Sequence, residues 1–215
     1  MASYRGHLTV ASALGAACGG AGVVWLGLDW GTAVLAAGLT AVGGLMPDLD
    51  SDSGVPVREL FSLAAVVTPL MMLRRLLHMG LSHEQVLAVM GAAYVFIRFG
   101  LSWVFRWLTV HRGMFHSLPA MLIAGLSVFL LYHSPDIGIR YYLAGATMIG
   151  FLSHLVLDEL YSVNFMGVKL HRNKFAGSAV KWYSKSWPAT VTTYAILVGL
   201  GYTAWHEVGS LAATR

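Results

Sequence analysis

The sequence predicts an all-α, polytopic helical membrane protein with about seven transmembrane or membrane-embedded helices. Three observations predict it. Hydrophobic residues make up 57% of the 215 residues and charged residues only 11%, against about 25% charged in a soluble domain. Mean hydropathy is +0.66. Long apolar runs also alternate with short polar stretches, and several runs approach the roughly 20 residues that cross a bilayer.

The 24 glycines fit this class, since glycine is commoner in membrane helices than in soluble ones. The single cysteine, Cys18, excludes an intrachain disulfide and a cysteine-based metal cluster. Its apolar surroundings make it a small packing residue. Arg5 followed by an apolar run resembles a signal peptide. Gly15 stands where a lipoprotein cleavage site needs a large aliphatic, so a retained first helix is expected.

The first span is Leu8 to Leu28, which is uncharged. Gly15 and Gly19 within it let a neighbouring helix approach closely. Asp29 and Trp30 supply a turn and an interfacial anchor. The second span, Gly31 to Met46, is short and also uncharged. The acidic turn Pro47-Asp48-Leu49-Asp50-Ser51-Asp52 follows. A third span runs from about Val57 to Leu73 and ends at Arg74-Arg75. A loop through His78 and His83 leads to the fourth, Gln85 to about Trp107, which Arg98 interrupts. His111-Arg112-Gly113-Met114-Phe115-His116-Ser117 comes next. The fifth span is Leu118 to Tyr132 and the sixth about Ile139 to Leu160. A basic, aromatic stretch, 161–186, precedes the last, about Trp187 to Trp205. No internal repeat stands out, and residues 1–215 read as a single helical membrane domain.

Seven alternating crossings put four polar features on one face. These are His7, the acidic turn, the heptapeptide, and His154 with Asp158. The same face carries Arg5, Arg58, Arg106, Arg112, Lys169, Arg172, Lys174, Lys181 and Lys185. The other has Arg74, Arg75, Arg140 and Arg215. The positive-inside rule makes the first face cytoplasmic.

His154 and Asp158 are four apart, hence on one helical face. An ionisable pair in an apolar run is costly in a bilayer and marks a candidate site. The alternative is an Asp–His hydrogen bond that locks two helices. Asp48 and Asp50 can converge on a cation from an extended turn, or form a solvated acidic turn, the natural reading of Asp52. His111 and His116 are five apart, so a turn at Gly113 must separate them. Ser117 looks like a helix N-cap with Pro119 in the first turn. A helix starting there is expected to aim free N–H groups at an anion, with Arg112 as a bidentate clamp. The alternative is an interfacial loop. His78 and His83 read as solvated, while His133, His171 and His206 have no partner by spacing.

Together, His7, Asp48, Asp50, His111, His116, His154 and Asp158 are seven potential ligands on one predicted face. A tetrahedral zinc takes four. Seven suit one or two ions, and two metals about 3.5–4 Å apart are common in hydrolases. Imidazole with carboxylate favours Zn, with Mn or Fe as alternatives. Arg112 and Asp50 are the expected catalytic residues.

These motifs resemble the YdjM-like family of membrane-bound, predicted metal-dependent hydrolases, LexA-regulated inner-membrane proteins of bacteria. The likeness rests on His7, Pro47-Asp48-Leu49-Asp50, His111 to Ser117, and Ser153-His154 to Asp158, in that order. It covers most of residues 5–185, including Lys169, Lys174 and Ala179 to Lys181. It implies an inner-membrane location, metal dependence and hydrolysis. Asp52 to Gly54 depart from the family pattern. A more distant likeness to zinc-dependent phospholipase C enzymes points toward phosphoesters.

The expected function is hydrolysis of a phosphoester or other ester of a lipid-like substrate at the cytoplasmic interface. The alternatives are a metal-ion transporter and a metal-stabilised scaffold or regulator. The partners expected are the bilayer and anionic headgroups, gathered by 161–186, rather than nucleic acid.

Overall fold

The computed structural model describes residues 4–50, 54–101, 103, 114–166, 169–172, 181–184 and 186–213. Side chains are described for these except at 49–50, 54–59, 162–166, 169–172 and 212–213. Among the described residues the chain forms seven α-helices. They are α1 (Tyr4–Leu26), α2 (Trp30–Gly43), α3 (Gly54–His78), α4 (His83–Val95), α5 (Leu118–Leu131), α6 (Ile137–Ser162) and α7 (Trp187–Ala213). A 3-10 turn, Met46–Asp50, follows α2. A short antiparallel ribbon, β1 (Val163–Met166) with β2 (Lys169–Arg172), follows α6. Nothing in the basic, aromatic sequence of 161–186 predicts this ribbon.

Among the described residues, four helical stretches are long and apolar enough to cross a membrane: Tyr4–Leu26, Leu60–His78, His83–Leu101 and Ile137–Tyr161. The expectation of seven spans thus divides. Helices α2 and α5 have 14 residues each, about 21 Å of rise against roughly 30 Å of hydrocarbon. Helix α7 is long enough, but it carries several threonines as well as His206 and Glu207 and is not among the four. Arg98 falls in a π-helical turn, Phe96–Leu101, that continues α4. Arg98 therefore does not break the helix as expected, because His83–Leu101 runs on as one membrane-competent stretch.

Helix α6 is the centre of the bundle. It packs on α1, α2 and α5, while α7 covers α5 and α3 pairs with α4. Lipid gives helices no hydrophobic reason to associate, so close backbone packing must hold them. Small residues supply it. The buried stripe of α1 is His7, Ala11, Gly15, Gly19 and Gly22. A Cβ on Gly15 would lie 2.5 Å from the Ala37 carbonyl oxygen, and one on Gly19 2.8 Å from that of Ala33. Gly43 meets the Thr147 carbonyl and Gly150 the Thr40 carbonyl, with no room for a side chain at either point. These contacts draw α1, α2 and α6 into one tight layer. Large apolar residues such as Val24, Trp25, Phe96, Val198 and Trp205 remain exposed on the outside, the surface suited to lipid.

Asp29 caps α2, accepting from the Thr32 amide at 3.0 Å and the Thr32 hydroxyl at 2.6 Å. These hydrogen bonds hold its carboxyl below the usual value, because they favour the charged form. Trp30 beside it is exposed, as an interfacial anchor should be.

Candidate metal centre

The small-residue seams decide where the polar side chains go. His7 lies at the end of the glycine stripe of α1, so the seam carries its imidazole into the bundle. There it stacks on His154 of α6, with ring centroids 3.7 Å apart and planes 11° apart. His154 and Asp158, one helical turn apart, both face inward and are buried. Asp48 arrives from the 3-10 turn after α2. His116 arrives from the bend before α5, its ring edge-on to His154 at 5.4 Å.

The Asp158 carboxylate meets three imidazoles. His7 Nε2 lies 3.2 Å from Oδ1, and His116 Nε2 and His154 Nε2 each lie 3.8 Å from Oδ2. Asp48 Oδ1 is 3.6 Å from His154 Nε2. Two overlapping groups, His7–His154–Asp158 and Asp48–His116–His154, each have ligand atoms within 4.8 Å of one another. Either group could hold a metal ion. Two donors each about 2.1 Å from a tetrahedral ion lie about 3.4 Å apart, close to the separations found here.

The chemistry of the donor set agrees. His154 Nδ1 is 2.8 Å from the Gly44 carbonyl oxygen. A carbonyl only accepts, so Nδ1 carries the hydrogen and Nε2 of the neutral ring presents a lone pair. That lone pair is buried, has no hydrogen-bond partner among the described residues, and faces two carboxylates. A cation held between these electron pairs would relieve their opposition, and the two overlapping groups could hold one. A histidine whose second nitrogen donates to a backbone carbonyl is also the usual form of a metal-binding histidine. Gly44 can serve because α2 and α6 touch backbone to backbone through Gly43 and Gly150.

His7, Asp48, His116, His154 and Asp158 are therefore brought together from four parts of the chain. The Asp50 backbone lies in the same 3-10 turn, but its side chain falls outside the described residues, as do His111, Arg112 and Asp52.

Ser117 caps α5 as expected, its Oγ accepting from the Ala120 amide at 3.2 Å. The anion site expected at that helix start is not available. The Leu118 amide donates to the Lys181 carbonyl and the Met121 amide to that of Ser117. Pro119 has no N–H, and Ala120 is taken by the cap. Every donor of the first turn is committed within the chain. The one-residue parallel bridge between Ser117 and Lys181 explains this, and nothing in the local motif announced it.

A family model described as YdjM inner membrane protein matches residues 1–214. The chain belongs to that family. No curated protein and no solved structure matches it. Membership of the YdjM family makes this an inner-membrane protein, in keeping with its four membrane-competent stretches. The motifs that carried the resemblance to the YdjM family include all five residues gathered around Asp158.

Sequence reasoning missed two things near the site and one far from it. It missed the Gly44 carbonyl and the Gly43–Gly150 crossing, although the Gly43-Gly44 pair before the acidic turn was a signal. It also reads His78 as solvated and gives His133 no partner, yet their rings stack at 4.4 Å. They are 55 residues apart by number, so no spacing rule could pair them.

Proposed function

We propose that this YdjM-family protein is a metal-dependent membrane hydrolase, acting on a phosphoester or other ester of a lipid-like substrate at the cytoplasmic interface. One observation carries the metal: the His154 Nε2 lone pair faces Asp48 and Asp158 while Nδ1 is tied to Gly44. His7, Asp48, His116, His154 and Asp158 are the proposed ligands seen together, with His111 and Asp50 proposed beside them. Zn is the first choice, with Mn or Fe next. When bound, a divalent ion lowers the pKa of water and neutralises charge in the transition state. The chain's own part is to hold the donors on rigid helices, with His154 Nε2 presented by the Gly44 carbonyl. Arg112 is proposed to bind the anionic group of the substrate, and Asp50 to assist catalysis. The excess of basic residues at this end supports a cytoplasmic orientation.

Metal analysis of the purified protein is the first test. Near-stoichiometric Zn, Mn or Fe is expected, lost in His154→Ala and His116→Ala. Folded wild-type protein without metal would end the proposal. Hydrolysis is then tested on a panel of phosphoester and acyl-ester lipids, with and without chelator.

A second reading has an observation of its own. The ligands come from α1, α6, the turn after α2 and the bend before α5, so an ion here would cross-link the bundle. If chelation lowers the melting temperature and no substrate is turned over, the metal is structural. His7 and Asp158 lie near helix ends, and Asp48 and His116 lie in segments between helices, rather than at the midplane where transporters bind their ions, which weighs against transport.

A further inference from the structure

A second polar cluster lies at the other end of α6. Arg140 is in its first turn, 14 residues before His154 and so about 21 Å away along the helix. The Arg140 side chain is wholly buried. Its Nε and Nη2 donate to the Phe129 carbonyl at 3.0 and 2.8 Å. Its Nη2 also lies 3.0 Å from Glu207 Oε1 on α7. Arg75, at the end of α3, donates from Nη2 to that same oxygen at 2.5 Å. His133 and His78 stack alongside, and the field of both arginines reaches His133.

The charges do not balance. Two guanidiniums share one carboxylate oxygen, so the group carries a net positive charge. Two donors are also left over. Arg140 Nη1 and Arg75 Nε are buried with no hydrogen-bond partner among the described residues. A buried unpaired donor on a charged group is expensive, and excess positive charge is costly too, although 34% of the Arg75 side chain and 24% of the Glu207 side chain are exposed. An anion accepting from both would remove both costs.

The neighbouring surface suggests which anion. A groove of about 470 Å³ runs between α5, α6 and α7, lined by Leu126, Phe129, Tyr141, Ala204, Trp205 and Val208 among others, nearly all carbon. Phe129 belongs to both features. Its ring lies 4.1 Å beneath the Arg140 guanidinium and forms part of the groove wall. Val208, next to Glu207, lines it too. The groove thus borders the arginine cluster through Phe129, and an acyl chain joined to a phosphate would match the two features.

We propose that Arg75 and Arg140 form a binding site for the phosphate group of an anionic phospholipid, with an acyl chain in the α5–α6–α7 groove, at the end of the bundle opposite the His/Asp centre. Arg140 Nη1 and Arg75 Nε each leave a charge-assisted N–H for a phosphate oxygen. The site is independent of the metal and of any hydrolysis.

The test is native mass spectrometry of the detergent-purified protein, titrated with phosphatidylglycerol or phosphatidylcholine of identical chains, and with inorganic phosphate as competitor. Phosphatidylglycerol should be retained about 10-fold more strongly, because its phosphate charge is uncompensated whereas the choline ammonium offsets that of phosphatidylcholine. Arg75→Gln should bring the two lipids close to parity. Glu207→Gln removes the competing carboxylate charge and should raise phosphatidylglycerol retention. A mere ion-pair brace predicts the reverse: Glu207→Gln would lower stability and leave lipid preference unchanged or weaker. Arg140→Gln is set aside because so buried a change can unfold the chain. If Arg75→Gln also fails to fold, Glu207→Gln decides the matter. Equal retention of both lipids by the native protein overturns the proposal. So does displacement of the lipid by millimolar inorganic phosphate, which would make the free ion the ligand.

Discussion

His154 is the residue on which the metal argument turns. Its two nitrogens do different work, one held by the Gly44 carbonyl and one aimed at Asp48 and Asp158. Replacing it with alanine strips the Gly44 carbonyl of its donor and removes the imidazole that faces both carboxylates. A buried group stripped of its partner costs about 1–3 kcal/mol. His154→Ala should therefore lose metal and melt at lower temperature. His154→Gln can keep a donor to Gly44, so it should recover part of the stability while still binding less metal. Metal content and thermal unfolding of both variants check this. Stability restored together with full metal content would mean that Nε2 is not a ligand.

The imidazole at the opposite end behaves differently. Burial first, then the charges of His78, Arg75 and Arg140, hold His133 below its ordinary value of 6.5, with Glu207 opposing. In the window just below 6.5 the unfolded chain then binds a proton more readily than the folded one. Stability from this residue is thus present above 6.5 and falls as pH drops through that window. The ring resonances of His133 in labelled protein should titrate below 6.5, and a midpoint above it would contradict the packing described.

At the level of elements, much was legible in advance. Helix α1 announced its buried seam through Gly15 and Gly19, because a small-residue repeat at helical spacing is local information. Ser117 announced a cap, because hydroxyl followed by proline is local too. The Gly43–Gly150 crossing was not legible, since its halves lie on helices a hundred residues apart and each glycine alone is unremarkable in a membrane segment. The occupied N–H groups of α5 stayed hidden for the same reason, as their acceptor is Lys181.

The crossing can be tested directly. A methyl on Gly150 has no space against the Thr40 carbonyl, so α2 must move off α6. Overpacking costs about 1–3 kcal/mol, and the shift also pulls Gly44 away from His154. Gly150→Ala should lower both stability and metal content. Gly145→Ala on the same helix, where a Cβ meets nothing within 4 Å, should be neutral in both. Ser117→Ala should cost about 0.5–2 kcal/mol as a lost cap and loosen His116 beside it, which a melting curve and metal analysis can follow.

At the level of the whole molecule, α6 joins two polar ends of different character. One gathers carboxylates and imidazoles around Asp158, and the other leaves guanidiniums in excess around Glu207. A helix of 26 residues rises about 39 Å, enough to cross roughly 30 Å of hydrocarbon, so the two ends should lie on opposite sides of the membrane. The sequence reading put the same groups on opposite faces by counting seven crossings. The structure reaches the convergence around Asp158 with two helices too short to span alone, so the agreement rests on packing against α6 rather than on the count. Asp136 and Tyr183 are both exposed and mark the two ends. In a Cys18→Ser background, Asp136→Cys should react with a membrane-impermeant maleimide added outside spheroplasts. Tyr183→Cys should react only after the membrane is opened. The opposite pattern would reverse the orientation and place the His/Asp centre at the periplasmic surface. Labelling of both from one side would mean that α6 does not cross the bilayer, and the separation of the two ends would lose its meaning.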